Sequence, residues 1–244
     1  MSTYVMSDIH GCKAEFDEML NKISFTDYDE LYIIGDVCDR GPDPIGIYQT
    51  IMNHENIHLI FGNHDEWFAK YIDALIMEKL NPGTLRINMD LTRWLHMNGG
   101  IKTMDQFLSL SFPDCYNLEA FFERREYYKE ITIRDKKYLL VHAGLKEHNY
   151  RGINIAEVPK EELLWSHIGL DDNPFQDKIM IVGHMPTLFY GDEYKGKMIL
   201  RDHIYHIDCG LVYGFSLGCL CLDTMQEFYI QKRMWVVLPF SHHF

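Results

Sequence analysis

Three short apolar runs near the N-terminus constrain the fold most, because each ends in a polar loop and helical patterns lie between them. The apolar runs are Thr3–Ser7, Leu31–Gly35 and Ile57–Phe61, and the helical patterns are Lys13–Lys22 and Pro44–Asn53. Strand, loop and helix repeated in this order predict a parallel sheet with crossover helices.

The remaining chain divides into a mostly helical middle and a strand-rich final part. The middle, about residues 66–130, includes an aromatic and aliphatic stripe over Trp67–Ile76, which we expect to pack as a helix rather than to line a substrate groove. The pattern predicts a single α/β domain over residues 1–244, with two packed sheets, helices outside them and a helical insert at about 66–130. The expected later strands are Tyr138–Val141, Met180–Val182, Ile204–Ile207, Cys219–Leu222 and Phe228–Ile230.

Composition excludes several classes of protein. Hydrophobic residues make up 47% of the 244 residues, enough for one large core. The chain has no apolar run of membrane-spanning length and no signal-peptide pattern at its start, so we expect a cytoplasmic protein without a membrane partner. A net charge of −13 argues against binding nucleic acid, but not against a phosphorylated substrate, because bound cations reverse the local charge. The scattered cysteines predict buried, reduced thiols.

The polar loops after the predicted strands hold the candidate chemistry. In an open α/β sheet, ligands gather beyond the carboxyl ends of the strands, so these loops and two later strand ends should meet at one place. One zinc ion needs only three or four ligands, and more candidates than that favour two ions. The six candidate ligands are Asp8, His10, Asp36, Asn63, His142 and His184.

The polar residues of these loops suit distinct roles in phosphate-ester hydrolysis. A carboxylate such as Asp36 can bridge two ions about 3.5–4 Å apart, which lower the pKa of a shared water. Mixed nitrogen and oxygen ligands predict two divalent or trivalent transition-metal ions, manganese first, with iron or zinc as alternatives. His64 can donate a proton to the departing oxygen, and Asp39 can orient it. The planar guanidinium of Arg40 suits phosphate oxygens.

These loops resemble the PPP-type phosphoprotein phosphatases of the calcineurin-like metallophosphoesterase superfamily, whose pattern is GDxHG, GDxxDRG and GNHE. The residues that carry the resemblance are 8–11, 35–41, 62–65, 142–144, 183–184 and 207–210. The segment Trp94–Thr103 resembles the helical insert of the small bacterial and phage members. The resemblance implies a four-layer αββα sandwich.

The resemblance also implies a role for each candidate residue. Asp36 would bridge the two metals, and His64 would act as the acid with Asp39 behind it, while Arg40 would hold phosphate. The first metal would be bound by Asp8 and His10. The second metal would be bound by Asn63, His142 and His184.

Two departures from the family pattern bear on the substrate. The third motif ends in Asp65 rather than in the Glu of the phosphoprotein phosphatases. The related symmetrical dinucleoside tetraphosphatases also have Asp at this position. The family also carries a second phosphate-binding Arg after a Leu-Leu-Trp segment, where this chain has His167. Either His167 or Arg201 takes its place or the role is unfilled, and His206 is a further candidate.

The expected function is hydrolysis of phosphate monoesters, with phosphoserine or phosphothreonine proteins as the first substrate class. The alternative substrate is a dinucleoside polyphosphate, so the expected partner is a phosphorylated protein or a nucleotide; no oligomeric state is predicted. A catalytically silent scaffold is disfavoured, because no ligand is lost.

Two further motif matches predict only turns. Gly214–Gly218 fits a GxSxG elbow, with Asp223 and His242 after it, but a strand follows instead of a helix. Gly191–Lys197 nearly fits a phosphate-binding loop, but Met198 replaces the hydroxyl residue.

Overall fold

The computed structural model describes residues 1–145, 154–172 and 174–233, and in these residues two five-stranded sheets pack face to face. The strand order is β10-β9-β1-β2-β3 in the first sheet and β4-β5-β6-β8-β7 in the second. The first sheet contains β1 (Thr3–Met6), β2 (Glu30–Ile34), β3 (Ile57–Ile60), β9 (Ser216–Cys221) and β10 (Gln226–Gln231). The second contains β4 (Tyr128–Ile133), β5 (Lys136–Val141), β6 (Ile179–Val182), β7 (Ile199–Leu200) and β8 (Ile204–His206).

The first sheet confirms the predicted parallel arrangement of the N-terminal strands. Strand β1 pairs in parallel with β2, and β2 with β3, while β9 and β10 are antiparallel. The crossover helices are α1 (Lys13–Lys22) and α2 (Pro44–Met52). All three parallel strands are rich in apolar residues, as expected for strands covered on both faces. Their carboxyl ends therefore lie along one edge of the sheet.

The second sheet directs two more strand ends to the same side. Strands β5, β6 and β8 are parallel, and β4 and β7 are antiparallel edge strands. Helix α7 (Lys160–Trp165) covers the outer face. The layers are therefore helices, sheet, sheet and helix, which confirms the sandwich. The core between the sheets includes Val5, Ile34, Ile60, Leu140, Ile181 and Leu220.

The middle of the chain is helical, as predicted, although the boundaries differ. The first helix begins at Asn63, three residues before the expected insert, because its start belongs to the third polar loop. Residues 128–130 belong to β4. Treating this segment as an insert in a single domain stays a prediction. The helices are α3 (Asn63–Leu80), α4 (Met89–Thr92), α5 (Ile101–Ser109) and α6 (Phe112–Phe122), with a π-helical turn at Arg93–Met97.

The two weaker motif matches form turns, as expected. Gly214 leads into β9, which forms a hairpin with β10 rather than a strand-to-helix elbow, and His242 lies outside the described residues. Gly191–Lys197 forms a 3-10 turn before β7. All six cysteines are buried free thiols. None of the described helices is long and apolar enough to cross a bilayer.

Candidate metal centre

Five strand ends bring the predicted ligands together around Asp36, which follows β2. Its two carboxylate oxygens face two imidazoles: Oδ2 lies 3.6 Å from Nε2 of His10, and Oδ1 lies 3.4 Å from Nε2 of His142. His10 follows β1 in the first sheet and His142 follows β5 in the second. The Asp36 carboxylate therefore sits between ligands contributed by both sheets.

Backbone carbonyls orient both imidazoles. Nδ1 of His10 donates to the Cys38 carbonyl at 2.9 Å, and Nδ1 of His142 donates to the Ile34 carbonyl at 3.0 Å. A ring held through Nδ1 presents Nε2 to a cation, the arrangement usual for metal-binding histidine. Both rings are therefore set to bind through the nitrogens that face Asp36.

Buried carboxylates give this region a charge that cations would balance. Burial, and next the neighbouring carboxylate of Asp208, raise the pKa of Asp8 well above its usual value. Burial also raises the pKa of Asp36, but the surrounding imidazoles outweigh it and hold that pKa well below its usual value. Burial lowers the pKa of His142, but the Asp36 carboxylate outweighs burial and raises it to about 10. Carboxylates this deeply buried need positive partners, and bound metal ions fit that need.

Two groups of potential metal-binding side chains share Asp36 among the described residues. Ligand atoms within each group lie within 4.8 Å of one another. Two cation positions that share one carboxylate fit a dinuclear site. The first group consists of His10, Asp36 and His64, and the second of Asp36, His142 and His184.

The grouping differs in detail from the sequence-based assignment. His64, expected to be the acid, stands in the first group where Asp8 was expected. Oδ2 of Asp8 accepts the backbone N–H of His184 at 3.0 Å, and Oδ1 of Asn63 lies 3.0 Å from Nε2 of His142. Both side chains line the site, and their roles as ligands stay predictions.

His64 is held by Asp39, as the sequence predicts. Nδ1 of His64 donates to Oδ2 of Asp39 at 2.6 Å, and Asp39 is fully buried. The same carboxylate accepts from Nε1 of Trp94 at 2.8 Å and Oγ1 of Thr103 at 2.6 Å. Sequence reasoning had no role for Trp94 or Thr103, although both lie in the segment that resembles the helical insert. Trp94 and Thr103 therefore orient the Asp39 carboxylate, which in turn orients the ring of His64.

Arg40 bridges the two histidines of the first group. Its guanidinium donates to Nε2 of His10 and to Nε2 of His64, both at 3.0 Å. One nitrogen lone pair cannot serve both an N–H donor and a cation. Binding of a cation at Nε2 of His10 would therefore require the guanidinium of Arg40 to turn away from that nitrogen, and its phosphate-binding role stays a prediction.

The three weaker phosphate-binding candidates occupy different environments. The ring of His167 lies 5.6 Å from that of His184, at the edge of the site. His206 is 1% exposed, and burial lowers its pKa to about 4, so it is a neutral ring packed against Tyr190 rather than a cation. Arg201 lies in the turn before β8, at the end of that strand away from the site, and its guanidinium contacts the Tyr194 hydroxyl. Of the three, His167 is the one for which the structure records a ring contact with a candidate ligand.

A sequence profile described as calcineurin-like phosphoesterase matches residues 1–214. The chain belongs to the calcineurin-like phosphoesterase family. A solved structure provisionally named a diadenosine tetraphosphatase shares the fold, with a TM-score of 0.61 at 17% identity over 95% of this chain and 93% of that one.

Curated relatives of this phosphoesterase carry two different names. A symmetrical bis(5'-nucleosyl)-tetraphosphatase of Buchnera aphidicola is 31% identical over 166 residues, 65% of this chain and 49% of the relative. That of Haemophilus ducreyi is 43% identical over 67 residues, 27% of this chain and 25% of the relative. Serine/threonine-protein phosphatase 1 of Salmonella typhimurium is 26% identical over 218 residues, 88% of each chain. The match thus spans half or less of the two tetraphosphatases.

Asp65 anchors the loop of the phosphoesterase that carries Asp36. Its carboxylate accepts the backbone N–H groups of Asp36 at 2.7 Å, Val37 at 3.1 Å and Gly62 at 2.9 Å. The hydroxyl of Tyr48 also donates to it, at 2.5 Å. Burial, and next the Asp36 charge, raise the pKa of Asp65 to about 6. Sequence reasoning treated Asp65 only as a departure from a motif and missed this positioning role.

The backbone of the site is strained. A left-handed φ costs a residue with a side chain roughly 1–2 kcal/mol, and such residues cluster at functional sites. Gly62 is required for a different reason: a Cβ there would lie 2.2 Å from Oδ1 of Asp36. Six of the ten described non-glycine residues with positive φ belong to the site: Asp8, His10, Asp36, Asp39, Arg40 and His184.

Proposed function

We propose that this phosphoesterase hydrolyses dinucleoside polyphosphates and cuts a symmetrical dinucleoside tetraphosphate into two nucleoside diphosphates. The observation that carries the chemistry is the Asp36 carboxylate, set between Nε2 of His10 and Nε2 of His142. The preferred substrate class reverses the order expected from the sequence, because the candidate metal ligands do not distinguish the two classes and the relatives favour the nucleotide.

The residues of the site divide the reaction between them. A pair of transition-metal cations, when bound by the two groups around Asp36, supplies Lewis acidity that activates water and neutralises phosphate oxygens. Water oxygen forms a bond to one central phosphorus, and the oxygen that bridges it to the next phosphorus departs with the second nucleoside diphosphate. Arg40 holds the phosphate oxygens, and His64, oriented by Asp39, protonates the departing oxygen where its basicity demands a proton.

Three observations support the nucleotide as substrate. Relatives at 31% and 43% identity carry the name symmetrical bis(5'-nucleosyl)-tetraphosphatase. Asp65 stands where the phosphoprotein phosphatase pattern has Glu. An open cavity of about 470 Å³, lined in part by Arg40 and Lys102, adjoins the site and offers positive charge to phosphates beyond the reacting one.

Hydrolysis of phosphoserine or phosphothreonine in proteins is the second candidate. It is favoured by the Salmonella protein phosphatase, because that similarity extends over 88% of both chains. The same residues would act in either reaction, and only the leaving group would differ.

A substrate panel tests the proposal. We expect purified protein with excess Mn²⁺ to show a higher kcat/KM for diadenosine tetraphosphate than for a phosphoserine peptide, and to release ADP alone. Asp36→Asn serves as the inactive control. A higher kcat/KM for the peptide would reverse the assignment, and products of unequal length would contradict symmetrical cleavage. Two bound metals without cleavage of either substrate or of p-nitrophenyl phosphate would favour a silent scaffold.

A further inference from the structure

Two tryptophans lie at the edge of the metal centre and form what we call the tryptophan rim, defined as Trp67 and Trp165. Their ring centroids are 4.8 Å apart, and the rings are nearly perpendicular, at 78°. Trp67 also lies 5.8 Å from the ring of His64, and Trp165 lies 6.2 Å from that of His184. The rim therefore spans the space between one residue of each candidate metal group.

Both tryptophans are held in place by the elements that carry them. Trp67 lies on α3, three residues after His64, so the first turn of one helix positions both rings. Trp165 is the last residue of α7, and an ion pair of 2.8 Å between Lys160 and Glu66 fastens the start of α7 to α3. The two helices that carry the rim are therefore joined beside the site.

Packing alone does not explain the position of Trp165. Its side chain is 44% exposed, whereas the two residues before it, Leu163 and Leu164, are buried and attach the helix to the core. Trp67 is only partly buried, although the rest of its stripe, including Tyr71 and Leu75, packs inside as predicted. An exposed tryptophan face beside a phosphate-binding centre suits the stacking of a nucleobase.

We propose that the tryptophan rim is the subsite for one base of the nucleoside polyphosphate, with the base stacked on Trp165 and bounded by Trp67. This inference rests on the proposed function. With the reacting phosphate beside Asp36, one further phosphate and the ribose would lead past His184 to the rim. Stacking requires no particular base, so the rim selects for nucleotides and not for one nucleobase.

Binding measurements test the rim separately from turnover. ADP and pyrophosphate are titrated into the Mn²⁺-loaded protein by calorimetry, because the pair differs by adenosine while keeping the diphosphate. The variants are Trp165→Ala, which removes the ring, and Trp165→Phe, which keeps an aromatic face. Tyr28→Ala is the matched control, since Tyr28 is 81% exposed and precedes β2, at the opposite end of that strand from Asp36.

We expect Trp165→Ala to weaken ADP binding by about 5- to 150-fold, the range for loss of one base stack, and to leave pyrophosphate binding within about twofold. Trp165→Phe should retain most of the affinity, and Tyr28→Ala all of it. In turnover, Trp165→Ala should raise KM for diadenosine tetraphosphate more than KM for p-nitrophenyl phosphate, whereas Tyr28→Ala should change neither.

Several results would overturn the inference. Equal affinities of ADP and pyrophosphate for the unaltered protein would show that the base makes no contact. Equal losses for both probes in Trp165→Ala would show that the tryptophan only supports the fold. A loss confined to phosphopeptide turnover would assign the rim to a peptide side chain. Failure to cleave diadenosine tetraphosphate would contradict the proposed function, but the ADP and pyrophosphate comparison would still decide the rim.

Discussion

Replacing His64 with asparagine tests the division of labour in the site, because the two candidate substrates differ in how much they need an acid. A serine alkoxide is a poor leaving group, and a general acid typically contributes about 10²–10⁴-fold to such a step. This corresponds to about 2.7–5.5 kcal/mol of barrier. A departing nucleoside diphosphate is a far weaker base, since the second pKa of a phosphate monoester is about 6. It can leave without a proton at pH 8.

The structure shows how His64 is oriented for the acid role. His64 donates Nδ1–H to the fully buried Asp39 at 2.6 Å, and this hydrogen bond orients Nε2 towards the site. Nε2 contacts Arg40 at 3.0 Å. If His64 is the acid, His64→Asn should slow a phosphoserine peptide by about 10²–10⁴-fold. Diadenosine tetraphosphate should be slowed less than about tenfold, because its leaving group needs little protonation.

The assay follows ADP and inorganic phosphate release at pH 8, together with metal content by mass spectrometry. His96→Asn is the matched control, because His96 is exposed in the helical segment. Equal losses on both substrates at unchanged metal content would refute the acid role. Loss of metal would instead make His64 a ligand of the first group, as its distance to Asp36 allows.

Three further substitutions test the supporting contacts. Asp36→Asn should lower metal occupancy in both groups at once, measured by mass spectrometry, because each group uses this side chain; loss from one group alone would contradict a bridge. Thr103→Val removes two hydrogen bonds to Asp39 and should lower the free energy of unfolding by about 1.5–3 kcal/mol, measured by urea titration; an unchanged midpoint would contradict the contact. Tyr48→Phe leaves Asp65 without its phenol donor and should cost about 1–3 kcal/mol in the same assay, with weaker metal binding; normal stability and metal content would refute the anchoring role.

The fold and the ligand cluster could be predicted from the sequence because both depend on local patterns. An apolar run followed by a polar, glycine-bearing loop defines a strand end, and parallel strands must place those ends together. The expected β1 and β2 agree with the structure to within one residue at each end. Asp36, His142 and His184 meet for this reason, although up to 148 positions separate them in the chain (184 minus 36).

The unpredicted features depend on contacts between distant segments. Helical periodicity shows that Trp67 shares a face with Tyr71, but it cannot show that Tyr71 stacks on Trp94 while Trp67 meets Trp165 of α7 at the edge of the site. Asp65 acts on backbone N–H groups 28 and 29 residues earlier in the chain, which no side-chain pattern records. Arg201 was one of the candidates to replace the second phosphate-binding arginine. It lies before β8 rather than after it, and the direction of that strand carries it away.

The strained loops make thermal tolerance depend on the supply of cations. Six left-handed residues and several buried carboxylates oppose folding in the empty protein, and a cation that binds only the folded chain offsets them through mass action. Cation at about 100 times its dissociation constant adds about 2.7 kcal/mol, or roughly 5–11 °C in a chain of this size. Chelation should therefore lower the melting temperature by a similar amount. Replacing these six residues with glycine or asparagine would relieve the backbone strain and stabilise the fold. It would also remove the side chains on which the proposed activity depends.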